Sequence, residues 1–150
     1  MRTATLSLKG RALKYLAARE HSRAELTRKL APHAESSEEV QRVLDELEAR
    51  GFLSAERFAE SMVHRKAARY GAARLKAELA QHQLPDDITR QAVQALRESE
   101  LPRAQALWAK RFGTVATDPS ELAKQMRFLA ARGFSGEVIR KVVKGGEHDD

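Results

Sequence analysis

The sequence carries a pattern of apolar residues that recurs three times along its 150 positions. In each copy a leucine lies at the end of the middle helical segment: Leu30, Leu79 and Leu129. Nine or ten positions later an apolar residue opens the core face of the next segment: Val40, Ile88 and Val138. Further apolar residues follow at helical spacing, so the repeating unit is predicted to contain three helices. Units of this kind stack end to end, each with a small core.

We therefore predict an all-α fold in which three tandem three-helix repeats form an elongated, curved helical array. Helix-forming residues dominate the chain, and no stretch shows the sustained apolar–polar alternation of a strand. The predicted division is an N-terminal segment over 1–9, repeats over 10–52, 53–100 and 101–144, and a disordered acidic tail over 145–150. A single irregular helical bundle is the alternative.

Serine and glycine positions predict where the helices begin and end. Ser22, Ser37 and Ser54 are expected N-caps, because a serine oxygen accepts a hydrogen bond from a free amide of the first turn. Gly51 and Gly133 are expected in left-handed caps, each followed by a phenylalanine that packs back on its helix. The predicted helices cover 11–19, 23–31, 38–50, 55–69, 72–82, 85–96, 103–112, 120–132 and 136–144.

The composition favours an acidic partner over catalysis. Lysine and arginine number 27 against 21 acidic residues, so the net charge is +6, which suits nucleic acid or an anionic protein surface. Cysteine is absent, the eight glycines form no phosphate-binding loop, and the five histidines show no metal-ligand spacing. We expect a non-enzymatic protein without cofactor or metal. Because no signal peptide or run of roughly 18 apolar residues occurs, we also expect a cytoplasmic location.

Basic side chains are concentrated in the second and third repeats. The acid-free run from Ser61 to Ala77 holds five of them: Arg65, Lys66, Arg69, Arg74 and Lys76. Arg65 and Arg69 are expected on one ridge of a helix. In the third repeat Lys124 and Arg127 lie three apart on another helix. Because an acid-free run repels itself unless something negative binds there, we predict that these side chains form one positive patch facing the partner. An ordinary solvated helix face is the alternative for each.

Two aromatic residues lie on one predicted helix of the third repeat. Trp108 and Phe112 are four positions apart, beside Lys110 and Arg111. That spacing puts both rings on the same helix face. We interpret the pair as part of a core stripe, and a stacking platform for single-stranded bases is the alternative.

One segment resembles the signature of a known family. Residues 51–61 read Gly-Phe-Leu-Ser-Ala-Glu-Arg-Phe-Ala-Glu-Ser, and an Arg-Phe-Ala core after a glycine turn is typical of the RecX family. A basic helix, a break at Gly71 and a Leu-x-x-x-Leu helix over 75–79 follow, as in that family. The Arg-Gly-Phe sequence at 132–134 is also similar. The resemblance covers about residues 10–143 and is most specific in its middle segment.

The resemblance to RecX implies a regulator of RecA, the bacterial strand-exchange recombinase. Proteins of that family lie in the groove of the RecA–DNA filament and inhibit recombinase and coprotease activities, which modulates recombination, DNA repair and the SOS response. We expect a filament-binding monomer. The chain departs from the family at Ser54 and Ala55, where an acidic pair is common, so any acidic contact there is expected to be lost.

The competing function class is a helical nucleic-acid-binding module that acts directly on DNA or RNA. Residues 22–50 suit a helix-turn-helix, which places its second helix in a groove of the duplex. Acidic residues crowd that helix and its approach, where they would repel phosphates. They are Glu35, Glu38, Glu39, Asp45, Glu46 and Glu48. Whether DNA-associated binding depends on the recombinase distinguishes the two classes.

Overall fold

The computed structural model describes residues 5–145, in which it contains nine α-helices, one short 3-10 turn and no strand. The first three helices are α1 (Leu8–Ala18), α2 (Arg23–Leu30) and α3 (Ser37–Ala49), with the 3-10 turn at Ala31–His33. The next three are α4 (Ala55–Lys66), α5 (Ala72–Ala80) and α6 (Asp86–Glu98). The last three are α7 (Glu100–Arg111), α8 (Pro119–Ala131) and α9 (Gly136–Val143). None of these described helices has the length and apolar composition needed to span a membrane.

The helices form three units, α1–α3, α4–α6 and α7–α9, each with its own buried apolar clusters. Packing between helices is concentrated within these units, and α6 also packs on α7. Leu30, Leu79 and Leu129, the leucines of the recurring pattern, are each 0% exposed. Burying a leucine contributes about 2 kcal/mol. The residues that define the repeat therefore also lie at the centre of each unit, and the predicted all-α repeat fold is confirmed.

The surface area of the chain fits units arranged in a row. The chain exposes 9699 Å², whereas a compact globular protein of 16.8 kDa exposes about 7,700 Å². Stacked units leave their flanks open to solvent, which accounts for an excess of this kind. The area therefore favours an elongated array over a single irregular bundle.

Trp108 lies in the core of the third unit, as the core-stripe interpretation predicts. Its side chain is 8% exposed and belongs to the same cluster as Leu129 and Ile139. The indole N–H donates to Oε1 of Gln125 at 2.9 Å, and the Gln125 amide donates to the Thr114 carbonyl at 3.0 Å. Because the ring is buried and its N–H is satisfied, Trp108 does not offer a stacking surface for bases.

The predicted N-caps are confirmed at two of three positions. Ser22 forms a full capping box with Glu25, in which each side chain accepts a hydrogen bond from the other's backbone amide. The Ser54 hydroxyl oxygen accepts from the Arg57 amide at 3.2 Å. The prediction for Ser37 is wrong, because Ser36 has the extended backbone of a cap and its oxygen accepts from the Glu39 amide. Ser37 is instead the first residue of α3.

The two glycine caps are confirmed, but only one of the following phenylalanines packs as expected. Gly51 and Gly133 have φ angles of +80° and +90°, in the left-handed region that favours glycine. Phe134 is buried, whereas Phe52 is 45% exposed. The amides of Phe52 and Leu53 both donate to the Leu47 carbonyl, and it is the Leu53 side chain that enters the core of the first unit. The prediction that Phe52 packs back is therefore wrong.

Several helix ends differ from the predicted ones, and one difference changes the patch. Helix α4 ends at Lys66, so Arg69 lies in the following turn, and Arg65 and Arg69 do not share a helical ridge. Beyond Lys66 the carbonyls of Ala67 and Tyr70 accept from the Arg103 guanidinium rather than from a further helical turn. Elsewhere α1 begins at Leu8, within the predicted N-terminal segment, and α7 begins at Glu100. The predicted acidic tail lies outside the described residues from position 146 onward.

The first and second units meet through side chains at what we call the first junction, formed by Glu20, Ser22, Arg57, Phe58 and His82. The Ser22 hydroxyl and Nδ1 of His82 are 2.8 Å apart, and the His82 and Phe58 rings pack with centroids 4.5 Å apart. Arg57 Nε donates to the Glu20 carboxylate at 3.0 Å. Burial lowers the pKa of His82 below its ordinary value. The neutral imidazole is thus the form that this junction favours.

Candidate nucleic-acid interface

The second and third units meet where two backbone segments touch. The Gly71 N–H donates to the Arg132 carbonyl oxygen at 2.8 Å. A Cβ atom on Gly71 would lie 2.4 Å from the carbonyl carbon of Gly133, and one on Gly133 would lie 2.4 Å from Cβ of Arg74. Because real side chains do not approach so closely, both positions require glycine. The start of α5 therefore lies directly against the turn between α8 and α9.

A buried carboxylate and a guanidinium complete this contact, which we call the second junction (Gly71, Glu100, Arg103 and Gly133). Glu100 is 6% exposed and accepts from the Ala72 amide at 2.9 Å, where a negative charge meets the positive end of α5. Arg103 donates to three carbonyl oxygens at 2.6–2.7 Å: those of Ala67, Tyr70 and Leu96. Burial lowers the pKa of Arg103, and these carbonyls at the ends of α4 and α6 stabilise its charge.

The second junction brings a tyrosine of the second unit beside arginines of both units. The guanidinium carbon of Arg74 lies 4.0 Å from the Tyr70 ring centroid, and that of Arg69 lies 5.3 Å away. Arg132, which follows α8 in the third unit, approaches the same centroid to 5.7 Å. Distances within about 6 Å are those of cation–π contacts. Tyr70 therefore holds basic groups from two units around one ring.

The same alternation of arginine and aromatic ring continues along the third unit. Arg132 lies 4.9 Å from the Phe128 centroid, and Arg111 lies 5.4 Å from Phe128 and 5.7 Å from Phe112. The two phenylalanine rings meet edge to face with centroids 5.4 Å apart. We call the whole row the arginine–aromatic ladder: Arg74, Tyr70, Arg132, Phe128, Arg111 and Phe112.

The charges of the ladder are not neutralised by carboxylates within the described part of the chain. No ion pair between residues 5–145 includes a guanidinium of the ladder. Glu121 lines a groove beside Arg111 and Phe112 without pairing with that arginine. A guanidinium stacked on a ring still presents its N–H groups along its edge, where they match the oxygens of a phosphate or carboxylate. The ladder can therefore bind an anionic ligand.

The structure gathers part of the predicted positive patch at the ladder. Arg69 and Arg74 meet on the Tyr70 ring. Lys124 is exposed and lies one helical turn before Phe128 on α8, so it shares the side of that helix that faces the ladder. These three basic residues therefore belong to one surface, although they come from two units.

The other predicted patch residues lie elsewhere or have partners of their own. The Lys66 ammonium is ion-paired with Glu78, and Arg65 lines a groove with both residues at the side of the first junction. Lys76 and Arg127 are exposed on α5 and α8. Lys66 is therefore less available to a ligand than its place in an acid-free run indicates.

Most of the ladder was missed by reasoning from the sequence, which singled out runs of basic residues. Tyr70, Phe128 and Arg132 were missed altogether, and Phe112 and Arg111 were considered only with Trp108, as a core stripe or a stacking platform. A usable signal is the four-residue spacing from aromatic ring to arginine, which occurs at Tyr70 and Arg74 before and within α5 and at Phe128 and Arg132 at the end of α8. The contact of Arg132 with Tyr70 has no such signal, since it joins residues of different units.

Three family models match the chain, one for each unit. The first three-helix domain of RecX matches residues 9–47, the second matches 56–93 and the third matches 98–143. The chain belongs to the RecX family. Its three units thus correspond, in the same order, to the three-helix domains by which the RecX family is described.

Relatives and solved structures agree with this assignment. Regulatory protein RecX of Leptothrix cholodnii is 56% identical over 144 residues, covering 96% of this chain and 92% of the relative. Regulatory protein RecX of Ralstonia nicotianae is 56% identical over 142 residues, covering 95% and 89%. The crystal structure of RecX from Lactobacillus salivarius superposes with a TM-score of 0.76 at 19% identity, covering 93% of this chain and 94% of that one. The relatives are named regulatory proteins, and the fold is that of a solved RecX structure.

Proposed function

We propose that this chain binds RecA–DNA filaments and inhibits their recombinase and coprotease activities, which modulates recombination, DNA repair and the SOS response. It acts in the cytoplasm, as a monomer and without catalysis. Membership of a family of regulatory proteins supports this role, because the similarity extends over nearly the whole chain. A regulator of this kind works by occupying a surface of its target rather than by converting a substrate.

The observation that carries the proposal is the row of arginines along the second and third units, which form no ion pair within residues 5–145. A RecA–DNA filament is a polyanion in its DNA, and proteins with clustered basic residues are drawn to such targets. The array of stacked units also exposes more surface than a globular protein of equal mass. An extended surface of this kind is suited to contacts along a filament.

The contact residues that we propose are the seven predicted from the sequence. Five come from the second unit and two from the third: Arg65, Lys66, Arg69, Arg74, Lys76, Lys124 and Arg127. Arg69, Arg74 and Lys124 have the strongest support, because they lie beside the ladder. Lys66 has the weakest support, because Glu78 neutralises it.

The proposal is tested by measuring ATP hydrolysis by RecA on single-stranded DNA while this chain is titrated. We expect hydrolysis to fall at substoichiometric amounts of the wild-type chain. Replacing three exposed basic residues of the second unit, in an R65A/R69A/R74A variant, is expected to weaken inhibition strongly. Helical content should be retained, because alanine is a good helix former and these side chains are exposed.

A charge-matched variant controls for the loss of net charge alone. Arg42, Arg90 and Arg97 are exposed arginines on α3 and α6 that lie outside the proposed contact set, so an R42A/R90A/R97A variant should inhibit as the wild type does. Unchanged ATP hydrolysis with stoichiometric wild-type chain would contradict the proposed function. Equal inhibition by the patch variant and the control would leave the function standing and remove these residues from it.

A further inference from the structure

We propose that the arginine–aromatic ladder is a binding site for the phosphate backbone of one nucleic-acid strand. This inference rests on the proposed function, and it assigns the ladder to the DNA of the filament rather than to the recombinase. It also implies that the chain binds DNA when no recombinase is present. The ligand is recognised through its phosphodiester charges, so binding is independent of base sequence.

The first support is that the guanidinium groups are held ready for an anion. The Arg132 guanidinium contacts the rings of both Tyr70 and Phe128, and the Arg111 guanidinium contacts both Phe128 and Phe112, whose rings touch each other. An arginine stacked in this way loses less conformational freedom when a ligand binds than an arginine free in solvent. Its edge still offers the two parallel N–H groups that match two phosphate oxygens.

The second support is the arrangement of these groups in a row across two units. A strand presents phosphates at regular intervals, and a row of fixed cations matches such a ligand better than a single cluster does. The row is continuous because the Gly71–Arg132 hydrogen bond holds the second unit against the third. Lys124 adds a further cation on the α8 side of the row.

The character of the ladder favours nucleic acid over an acidic protein surface. Protein interfaces are centred on anchors, aromatic side chains and arginine among them, that enter well-packed pockets of the partner. The ladder rings, by contrast, are half-buried, and each has a guanidinium on it. The arginines compete with bases for these ring faces, and they add N–H donors and positive charge to the surface that a ligand meets. A phosphate backbone supplies the acceptors that such a surface requires.

The test measures binding of a fluorescent oligothymidylate by anisotropy over a range of salt concentrations, without recombinase. The ladder variant is R74Q/R111Q/R132Q, and the matched control is R42Q/R90Q/R97Q, which removes the same charge from α3 and α6. Each phosphate contact to a single strand contributes about 0.7 to the salt slope, so losing three is expected to reduce the slope by about 2. The control should keep the wild-type slope, and circular dichroism should show that both variants are folded.

A second variant separates the ladder from simple charge. An R74K/R111K/R132K chain keeps every positive charge but loses the planar groups that stack on the rings. We expect it to bind several-fold more weakly than the wild type with nearly the same salt slope. Wild-type affinity in this variant would overturn the ladder as an arranged site.

Two further results would also overturn the inference. One is equal DNA binding by the ladder variant and its control, and the other is no measurable DNA binding by the wild-type chain. If the ladder variant bound oligothymidylate normally but inhibited RecA poorly, the ladder would contact the recombinase instead. Failure of the proposed function is distinguishable from all of these, because it is the absence of inhibition by the wild-type chain.

Discussion

The first and second junctions are built from different kinds of contact. At the first, the contacts are between side chains: the Ser22 hydroxyl meets the His82 ring, and Arg57 pairs with Glu20. At the second, backbone lies against backbone at Gly71 and Gly133. Side chains change rotamer at little cost, whereas packed backbone moves only with the helices that carry it. We therefore expect the first unit to change its orientation relative to the second more easily than the third unit does.

This difference follows the position of the candidate binding surface. The arginine–aromatic ladder crosses the second junction, because Tyr70 belongs to one unit and Arg132 to the other. A shift of an ångström or two at that junction would separate the Arg132 guanidinium from the Tyr70 ring. No comparable row of charges crosses the first junction among the described residues. The rigid contact therefore lies where the surface must keep its geometry.

The largest effect is expected from a methyl group at the second junction. In Gly71→Ala the new Cβ would lie 2.4 Å from the backbone of Gly133, so one unit must move. We expect a loss of about 3 kcal/mol in the free energy of unfolding, as in overpacked cores. The measurement is chemical denaturation followed by circular dichroism, with Trp108 fluorescence as a second probe.

Gly51→Ala is the matched control for that substitution. A Cβ on Gly51 meets nothing within 4 Å, so its only cost is the φ of +80°. An L-residue in this region costs about 1 kcal/mol. Equal losses from Gly71→Ala and Gly51→Ala would show that the backbone contact at the second junction adds no rigidity.

A smaller effect is expected from an arginine at each junction. Arg103→Ala leaves three carbonyls at helix ends without their donor, which we expect to cost about 2 kcal/mol. Arg57→Ala removes an exposed ion pair with Glu20 at the first junction, and exposed pairs contribute less than about 1 kcal/mol. Unfolding free energies of both variants test the contrast, and a larger loss for Arg57→Ala would reverse our assignment of the two junctions.

The three-unit fold could be predicted from the sequence because it depends on local periodicity. Leu30, Leu79 and Leu129 mark the cores, and Ser22 and Ser54 mark helix starts through hydrogen bonds within a few residues. Two errors were local shifts of one residue, from Ser36 to Ser37 and from Leu53 to Phe52, and the error that affects the patch arose where a distant residue contacts the helix end. Helix α4 stops at Lys66 rather than Arg69, and the carbonyls beyond it accept from Arg103, which lies 36 and 33 positions from Ala67 and Tyr70.

The candidate site was less predictable for the same physical reason. Arg69 and Arg74 were identified because they belong to a run of basic residues, and the structure brings them together on Tyr70. Arg132 was not identified as a site residue, because its contact with Tyr70 depends on how two units pack. The composition gives the number of charged residues, whereas the packing of the units determines which of them lie in one row on the surface.

The smallest expected effect is a response to pH at the first junction. Burial lowers the pKa of His82 and of its neighbour His21. Burial by itself would raise the pKa of Glu25, but hydrogen bonds from Arg19 and from the Ser22 amide lower it to about 2. For the histidines the unfolded chain binds a proton more readily than the folded chain. Their contribution to stability is therefore complete above about pH 6.5 and is lost as the pH falls below it.

The Glu25 contribution has the same direction but belongs to a lower range. It is present above the ordinary glutamate pKa of 4.5 and is lost as the pH falls toward 2. Of these three groups, only the two histidines should therefore change the free energy of unfolding between pH 7.5 and 5.5. As the pH falls from 7.5 to 5.5 we expect the protection factors of the α2 amides, which correct for the intrinsic slowing of exchange, to decrease, while emission of Trp108, the single tryptophan, stays constant in the third unit.

His82→Asn is the variant that assigns this response. It removes one titrating ring from the first junction, where the charges acting on His82 are Glu25, Glu78, Arg28 and Arg19. We expect the protection factors of the α2 amides to depend less on pH in this variant than in the wild type. His64→Asn is the control, because His64 is exposed on α4. If the wild type and His82→Asn respond equally to pH, or if Trp108 responds as strongly as α2, the pH sensitivity does not arise at the first junction. The first junction would then differ from the second in the geometry of its contacts and not in its response to pH.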